Sequence, residues 1–219
     1  MRVEHIETYD KVIVDKIAEI HLKTFEDFFL TFMGRGFLRQ MYRSYCDHNK
    51  SGIIVAIENE RVVGFLAYSE DLSALYKHML KSRLIPFAWY SMGAFFRKPA
   101  TFMRIVRAFL KPSESRRSEA YVELASIGVD PEAKGKGVGS LLINALKKRT
   151  DFDKFEYITL ETDAVDNDAA NRFYVKNGFE ATRQFQTHEG RSMIEYRFCG
   201  KESVCKNEND ETALHTQHH

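Results

Sequence analysis

Between Ile127 and Leu146 the chain reads IGVDPEAKGKGVGSLLINAL. A strand ends at Val129, the chain turns at Asp130 and Pro131, and Gly135, Gly137 and Gly139 stand at alternate positions where a helix begins. Val138, Leu141, Leu142 and Ala145 fall at i, i+3, i+4 and i+7, one face of a 3.6-residue period. Glycines where a strand passes into a helix allow positive φ and let the backbone approach a ligand with no Cβ between. The first amides of the helix have no partner within it, so with the helix dipole they make a place for an anion such as a pyrophosphate. The spacing is neither Gly-x-x-x-x-Gly-Lys-Ser/Thr nor Gly-x-Gly-x-x-Gly, which excludes a P-loop and a dinucleotide fingerprint. Lys134 followed by Gly137 and Gly139 is a different spacing, and a plain glycine-rich turn capping a helix is the alternative reading.

Composition enters through charge and cysteine. Over 219 residues the apolar share is 44% and the formal net charge is +1, which suits a folded chain and excludes a general field for nucleic acid. Cys46, Cys199 and Cys205 are odd in number and lack metal-binding spacing, so no metal site and a reducing, cytoplasmic setting are expected. No charged-then-apolar leader and no run of about 18 apolar residues is read, so neither export nor a membrane span is expected.

From the start, Arg2 to Glu7 predicts a strand, and Lys11 to Phe25 a helix burying Val12, Ile13, Ile17, Ile20 and Leu22. Phe25, Phe28, Phe29 and Phe32 crowd the stretch before Gly34, as core residues do. A second helix is predicted from Gly36 to Cys46, then a hairpin of Ile53–Ile57 and Val62–Tyr68.

Residues 71–118 read as three helices, Leu72–Ser82, Phe87–Phe96 and Ala100–Leu110, broken by Pro86, Pro99 and Pro112. Over residues 72–118 ten Lys or Arg stand against Glu114 alone, a local +9 that leaves −8 for the rest. A helical lid, a homodimer surface, and a weak contact with an anionic membrane or a phosphate through residues 77–117 all fit this pattern. Burial of the apolar side, against the domain or a second subunit, is expected, because so many exposed apolar residues would invite aggregation.

Tyr121 to Val129 predicts the strand that feeds the glycine loop, with Glu123, Ala125, Ile127 and Val129 on one face. Tyr157 to Thr162 is another strand, followed by NDAANRFYVKNGF. There Asn167 is placed to cap a helix, Ala170 and Phe173 share a face, Tyr174 lies two turns from Asn167, and Gly178 ends the helix. Phe179–Thr187 and Arg191–Phe198 predict a last hairpin around His188-Glu189-Gly190. Residues 200–219 are polar and aperiodic and read as a disordered tail.

Two spacings, Lys134-x-x-Gly137-x-Gly139 after Val129-Asp130-Pro131 and Asn167-x-x-Ala170-x-x-Phe173-Tyr174-x-x-x-Gly178-Phe179, resemble the signatures of the GNAT superfamily of N-acetyltransferases. The family usually has Arg or Gln where Lys134 stands. The resemblance covers about Ile6 to Phe198. It implies an α/β fold with a mixed, mostly antiparallel seven-stranded sheet and helices on both faces, in one domain over residues 1–199 with a helical insertion at 71–118 between the third and fourth strands.

It also implies acetyl-CoA as cosubstrate, without a metal, and direct transfer to an amine where the fourth and fifth strands splay apart. Ile127, Gly128, Val129, Lys134, Gly135, Lys136, Gly137, Val138, Gly139, Ser140, Asn167, Ala170 and Phe173 are then the cosubstrate-binding residues, and Phe28, Phe29 and Phe32 face the acceptor. Glu123 is the candidate base, with a salt-bridge role as its alternative. Tyr174 is the candidate acid, still protonated near neutral pH when a thiolate forms. The acceptor is a small-molecule or protein amine, an amino sugar among them. A coenzyme A-binding sensor or scaffold without transferase activity is the competing reading.

Overall fold

The computed structural model describes residues 1–25, 29–97, 99, 119–187 and 190–200. Asp10 accepts hydrogen bonds from the amides of Val12 (2.7 Å) and Ile13 (3.1 Å) and so starts α1, Lys11–Thr24. Before it runs β1, Arg2–Ile6, and after it α2, Phe29–Met33, and α3, Arg35–Asp47. The strands β2, Ser51–Glu58, and β3, Arg61–Ser69, form the predicted hairpin, its two turn residues Asn59 and Glu60 both at positive φ. Then come α4, Leu72–Arg97; β4, Tyr121–Val129; α5, Val138–Arg149; β5, Tyr157–Asp163; α6, Asp168–Lys176; β6, Glu180–Gln186; and β7, Ser192–Cys199. The sheet has seven strands in the order β1-β2-β3-β4-β5-β7-β6. The β4–β5 pair is parallel, while β1–β2, β2–β3, β5–β7 and β6–β7 are antiparallel.

Two compact units divide the chain, Met1–Ser118 with Ser126–Leu146, and Glu119–Ala125 with Lys147–His219. In the first, α1 and α3 cover β2 and β3 with a core that includes Ile17, Ile20, Leu38, Tyr42, Ile53 and Phe65. The buried stripe of α1 is Val14, Ile17, Ala18 and His21, at i, i+3, i+4 and i+7. The sequence reading misplaced one edge of that stripe: Val12 is 78% exposed, because a buried histidine completes the period that apolar residues alone would not show. Gly64 of β3 makes room for α5, since a Cβ there would lie 2.8 Å from Val138 and 3.3 Å from Leu142. Val138, Leu142, Ile143 and Leu146 are accordingly the buried residues of α5, and Leu141, expected inside, is exposed.

In the second unit the buried residues include Ile158, Leu160, Tyr174, Phe179 and Tyr196, around a carboxylate with no exposure, Glu195. Glu195 accepts from Arg197 Nε (2.6 Å) and pairs with Arg183 (3.3 Å). Lys147 lies 3.5 Å from the centre of the Phe198 ring, and burial lowers its pKa. Cys46 is a free thiol.

The insertion departs from expectation twice. Its first two predicted helices are one element, α4, bent at Arg83 (φ −136°, ψ 19°), one turn before Pro86. Proline clashes with the carbonyl four residues earlier and cannot donate to it, so the bend falls before the ring and the helix resumes after it. The third predicted helix, Ala100–Leu110, lies outside the described residues, as does the polar tail from residue 201. Beyond the bend the apolar side of α4 is not buried: Ile85 is 82%, Trp89 69% and Phe96 75% exposed. The inner side of this stretch, with Phe87 and Ser91, is packed on α3, and the outer apolar side chains are exposed in the single chain.

Candidate active site

In the first unit β4 delivers the chain to the glycine loop through a set of anchors. Thr24 Oγ1 donates to the Val129 carbonyl (3.2 Å), and the Asp130 amide donates to the Val63 carbonyl (2.8 Å). Asp130 is buried, accepts from the Glu132 amide (3.3 Å) to start a short 3-10 turn at Pro131–Ala133, and lies 3.5 Å from Lys16 and 3.9 Å from Lys23. Gly135 and Gly137 then take φ of +84° and +78°, with open space where a Cβ would stand. Among the described residues nothing accepts from the amides of Gly135, Gly137, Val138, Gly139 and Ser140. These donors and the N-terminal end of α5 form a cradle suited to a phosphate group. Lys136 is tied to Glu58 (3.2 Å), whereas Lys134 is exposed and without an ion pair among the described residues. Ile127 and Val129 are half-buried, and Gly128 is buried with the Phe65 ring 2.7 Å from where its Cβ would be.

Sequence reasoning passed over a buried chain in the same unit. His21 Nδ1 and the Tyr42 hydroxyl are 2.6 Å apart, and that hydroxyl lies 3.4 Å from Ser126 Oγ at the point where β4 approaches Ile127. Burial lowers the His21 pKa to about 4 and raises that of Tyr42, so both are neutral near pH 7. Neither residue carried a spacing signal, because the three meet only through the packing of α1, α3 and β4.

In the second unit Glu123 is half-buried on β4, opposite Thr159 of β5 in parallel register. Asn167 precedes α6 but does not cap it with its side chain. Its Nδ2 donates back to Thr162 Oγ1 (2.7 Å) and to the Asp163 carbonyl (3.3 Å), so the side chain ties the helix start to the end of β5. Asn171 donates to the same carbonyl (3.2 Å) and accepts from the Tyr196 hydroxyl (3.3 Å), while Arg191 holds the Asp163 carboxylate with contacts of 2.7 and 2.8 Å. Asn171, Tyr196 and Arg191 were not singled out by spacing, although Asn171 lies inside the second motif. Ala170 and Phe173 are half-buried on α6. Tyr174 is buried against Phe173, Phe179 and Tyr196, with ring centres 5.4 to 6.1 Å away. Burial, and secondarily Tyr196, pushes its pKa up to about 12. Gly178 ends α6 at φ +77°, as predicted.

Phe28, Phe29 and Phe32 are the aromatic residues expected to face the acceptor. Phe28 lies outside the described residues, as does the side chain of Phe29, whose backbone opens α2. Phe32 packs, partly buried, against Met33 and Phe37. Among the described residues no group of three His, Cys, Asp or Glu is placed to hold a metal ion.

A seven-stranded sheet with an amide cradle between its fourth strand and the following helix defines the class. The Acetyltransferase (GNAT) family matches residues 15–179, more than half of the chain, and the chain belongs to that family; it is an acetyltransferase. A search of curated protein sequences finds no match. Among solved structures it is similar to aminoglycoside 6'-acetyltransferase type Ii, with TM-score 0.59 and 13% identity over 92% of this chain and 98% of that one. Ribosomal-protein-alanine N-acetyltransferase from Brucella melitensis gives TM-score 0.57 and 14% identity over 91% and 99%. Ard1 from Thermoplasma volcanium gives 0.55 and 16% over 92% and 98%. At these identities the likeness is one of fold.

Proposed function

We propose that the protein moves an acetyl group from acetyl-CoA directly to a primary amine. The observation that carries this reading is the run of unpartnered amides at Gly135 and Gly137–Ser140, bent outward by two glycines at positive φ. Bound there, acetyl-CoA supplies an acetyl thioester, a carbonyl already activated toward an amine. The loop amides, with Lys134, Lys136, Val138, Gly139 and Ser140, hold the pyrophosphate, and Lys134 is the cation with no competing carboxylate among the described residues. Backbone amides around Ile127, Gly128 and Val129 hydrogen-bond the carbonyl oxygen and stabilise the charge that grows on it. Asn167, Ala170 and Phe173 line the path of the pantetheine.

Glu123 takes the proton that an ammonium acceptor must lose, directly or through a water. Tyr174 keeps its own proton throughout the neutral range, because burial holds its pKa up to about 12. It gives that proton to the sulfur as negative charge grows there. Transfer is direct, as the resemblance implies, and the absence of a cysteine from both motifs is consistent with that. The acceptor is an amino sugar, a small amine or a protein amine; an aminoglycoside and a ribosomal-protein alanine are the acceptors named for two structural neighbours. A panel of amino sugars, small amines and peptides with free N-termini, read by free thiol release and by product mass, tests the proposal. Release that depends on one class of amine is the expected result. Tight acetyl-CoA binding with no release for any amine would replace the transferase with a sensor.

A further inference from the structure

After its bend, α4 presents two unlike faces. Inward, Phe87 stacks on Phe37 of α3 with ring centres 4.8 Å apart, Ser91 is buried, and the Tyr90 ring occupies the space that a side chain at Gly36 would need. Arg83 ties the bend to Gln40 (3.2 Å) and Asp47. The helix is therefore fixed in rotation. Outward, Ile85, Trp89, Met92 and Phe96 recur at i, i+4, i+7 and i+11, and they are 82, 69, 42 and 75% exposed. Leu84 and Phe95 flank them, also exposed, and residues 84–96 contain no charged side chain. Such a contiguous aromatic and aliphatic stripe marks a surface that something covers.

Charge identifies the cover. Residues 72–113 hold eight Lys or Arg and not one Asp or Glu, in a chain whose total is +1. Lys77 and Lys81 are exposed before the bend, and Arg97 and Lys98 follow the stripe in sequence. A second copy of this chain, meeting the first about a two-fold axis, would bring these cations against their equals. An anionic lipid surface neutralises them while taking up the aromatic stripe, the pattern of helices that lie in a bilayer interface. Leu84–Arg97 is 14 residues, about 21 Å at 1.5 Å per residue, too short for a hydrocarbon core of about 30 Å. No helix among the described residues is long and apolar enough to cross a membrane.

We propose that the outer face of α4 docks the protein on the surface of a membrane rich in anionic lipid, with Ile85, Trp89, Met92 and Phe96 at the acyl boundary and Lys77 and Lys81 among the headgroups. Trp89 is the only tryptophan in the chain, so its fluorescence reports this face alone. The test mixes the full chain with vesicles of phosphatidylcholine, with and without about a third phosphatidylserine, an amount chosen so that the surface potential attracts polybasic segments. With anionic vesicles the protein should sediment, Trp89 emission should shift to the blue, and lipids brominated near the headgroup should quench it. Binding should fall at least tenfold in high salt, and similarly in Lys77→Gln/Lys81→Gln and in Trp89→Ala/Phe96→Ala, read for the last by sedimentation alone. These positions are exposed, so the variants should keep the thermal midpoint of the parent, which separates lost docking from lost folding. Unchanged emission and no sedimentation with anionic vesicles would overturn the proposal. So would a blue shift that grows with protein concentration alone and accompanies a dimer in sedimentation equilibrium, which would assign the face to a second copy.

Discussion

His21 stays neutral in the folded chain because it is buried beside Phe25 and Tyr42, and its pKa falls to about 4 from an ordinary 6.5. The unfolded chain therefore binds a proton that the folded one refuses. Stability from this residue is complete above pH 6.5 and is lost as pH falls toward 4, by about 3 kcal/mol. Urea unfolding at pH 7 and at pH 4.5 should show a smaller acid loss in His21→Leu than in the parent; equal losses would mean that His21 is not the group responsible. Tyr174→Phe should fold normally and hold acetyl-CoA, yet turn over about 10- to 1000-fold more slowly, the range for a lost general acid. With a pKa near 12 the hydroxyl sits well above a thiol of about 8.5, so complete transfer to the sulfur is uphill and the loss should fall toward the lower end. Glu123→Gln should slow the reaction most where the acceptor amine is still protonated. Parent-like turnover in both variants on the true acceptor would remove both assignments. Tyr174 and Asn167 were legible because a short motif carries them. The partners that fix them were not, since Thr162 and Asp163, which hold Asn167, and Tyr196, which packs on Tyr174, come from strands that the motif does not include.

At the scale of elements, the glycine loop makes the sharpest prediction. Gly137→Val must place a β-branched residue at φ +78°, a local strain of about 1–3 kcal/mol, in a position with open space around it. The thermal midpoint should drop by only a few degrees, whereas acetyl-CoA affinity should fall at least tenfold. A folded variant with parent-like affinity would detach the cosubstrate from this loop. The strands and the loop could be read from sequence because alternation and glycine spacing are local signals. The faces of α1 and α5 were read less accurately: a buried His21 completes the inner stripe of α1, and α5 carries apolar residues on more than one face, of which Val138 and Leu142 pack at Gly64. For α4 the local pattern was clear, but pattern cannot say which side has a partner. The bend at Arg83 and the packing on α3 decide that.

For the molecule as a whole, charge is divided by segment, with the insertion strongly basic and the rest acidic. Fold and family were legible from two motifs in a fixed order; the acceptor was not, because the aromatic stretch assigned to it carries no spacing specific to any amine. Direct acetyl transfer is the central claim, and one chase experiment tests it. The protein is mixed with acetyl-CoA labelled in the acetyl group, in stoichiometric amounts, with and without the amine that gives most thiol release. The label should appear on the amine within one turnover, and the protein should carry none at any time. Label that stays in acetyl-CoA with every amine, or that is recovered bound covalently to the protein, would contradict the account.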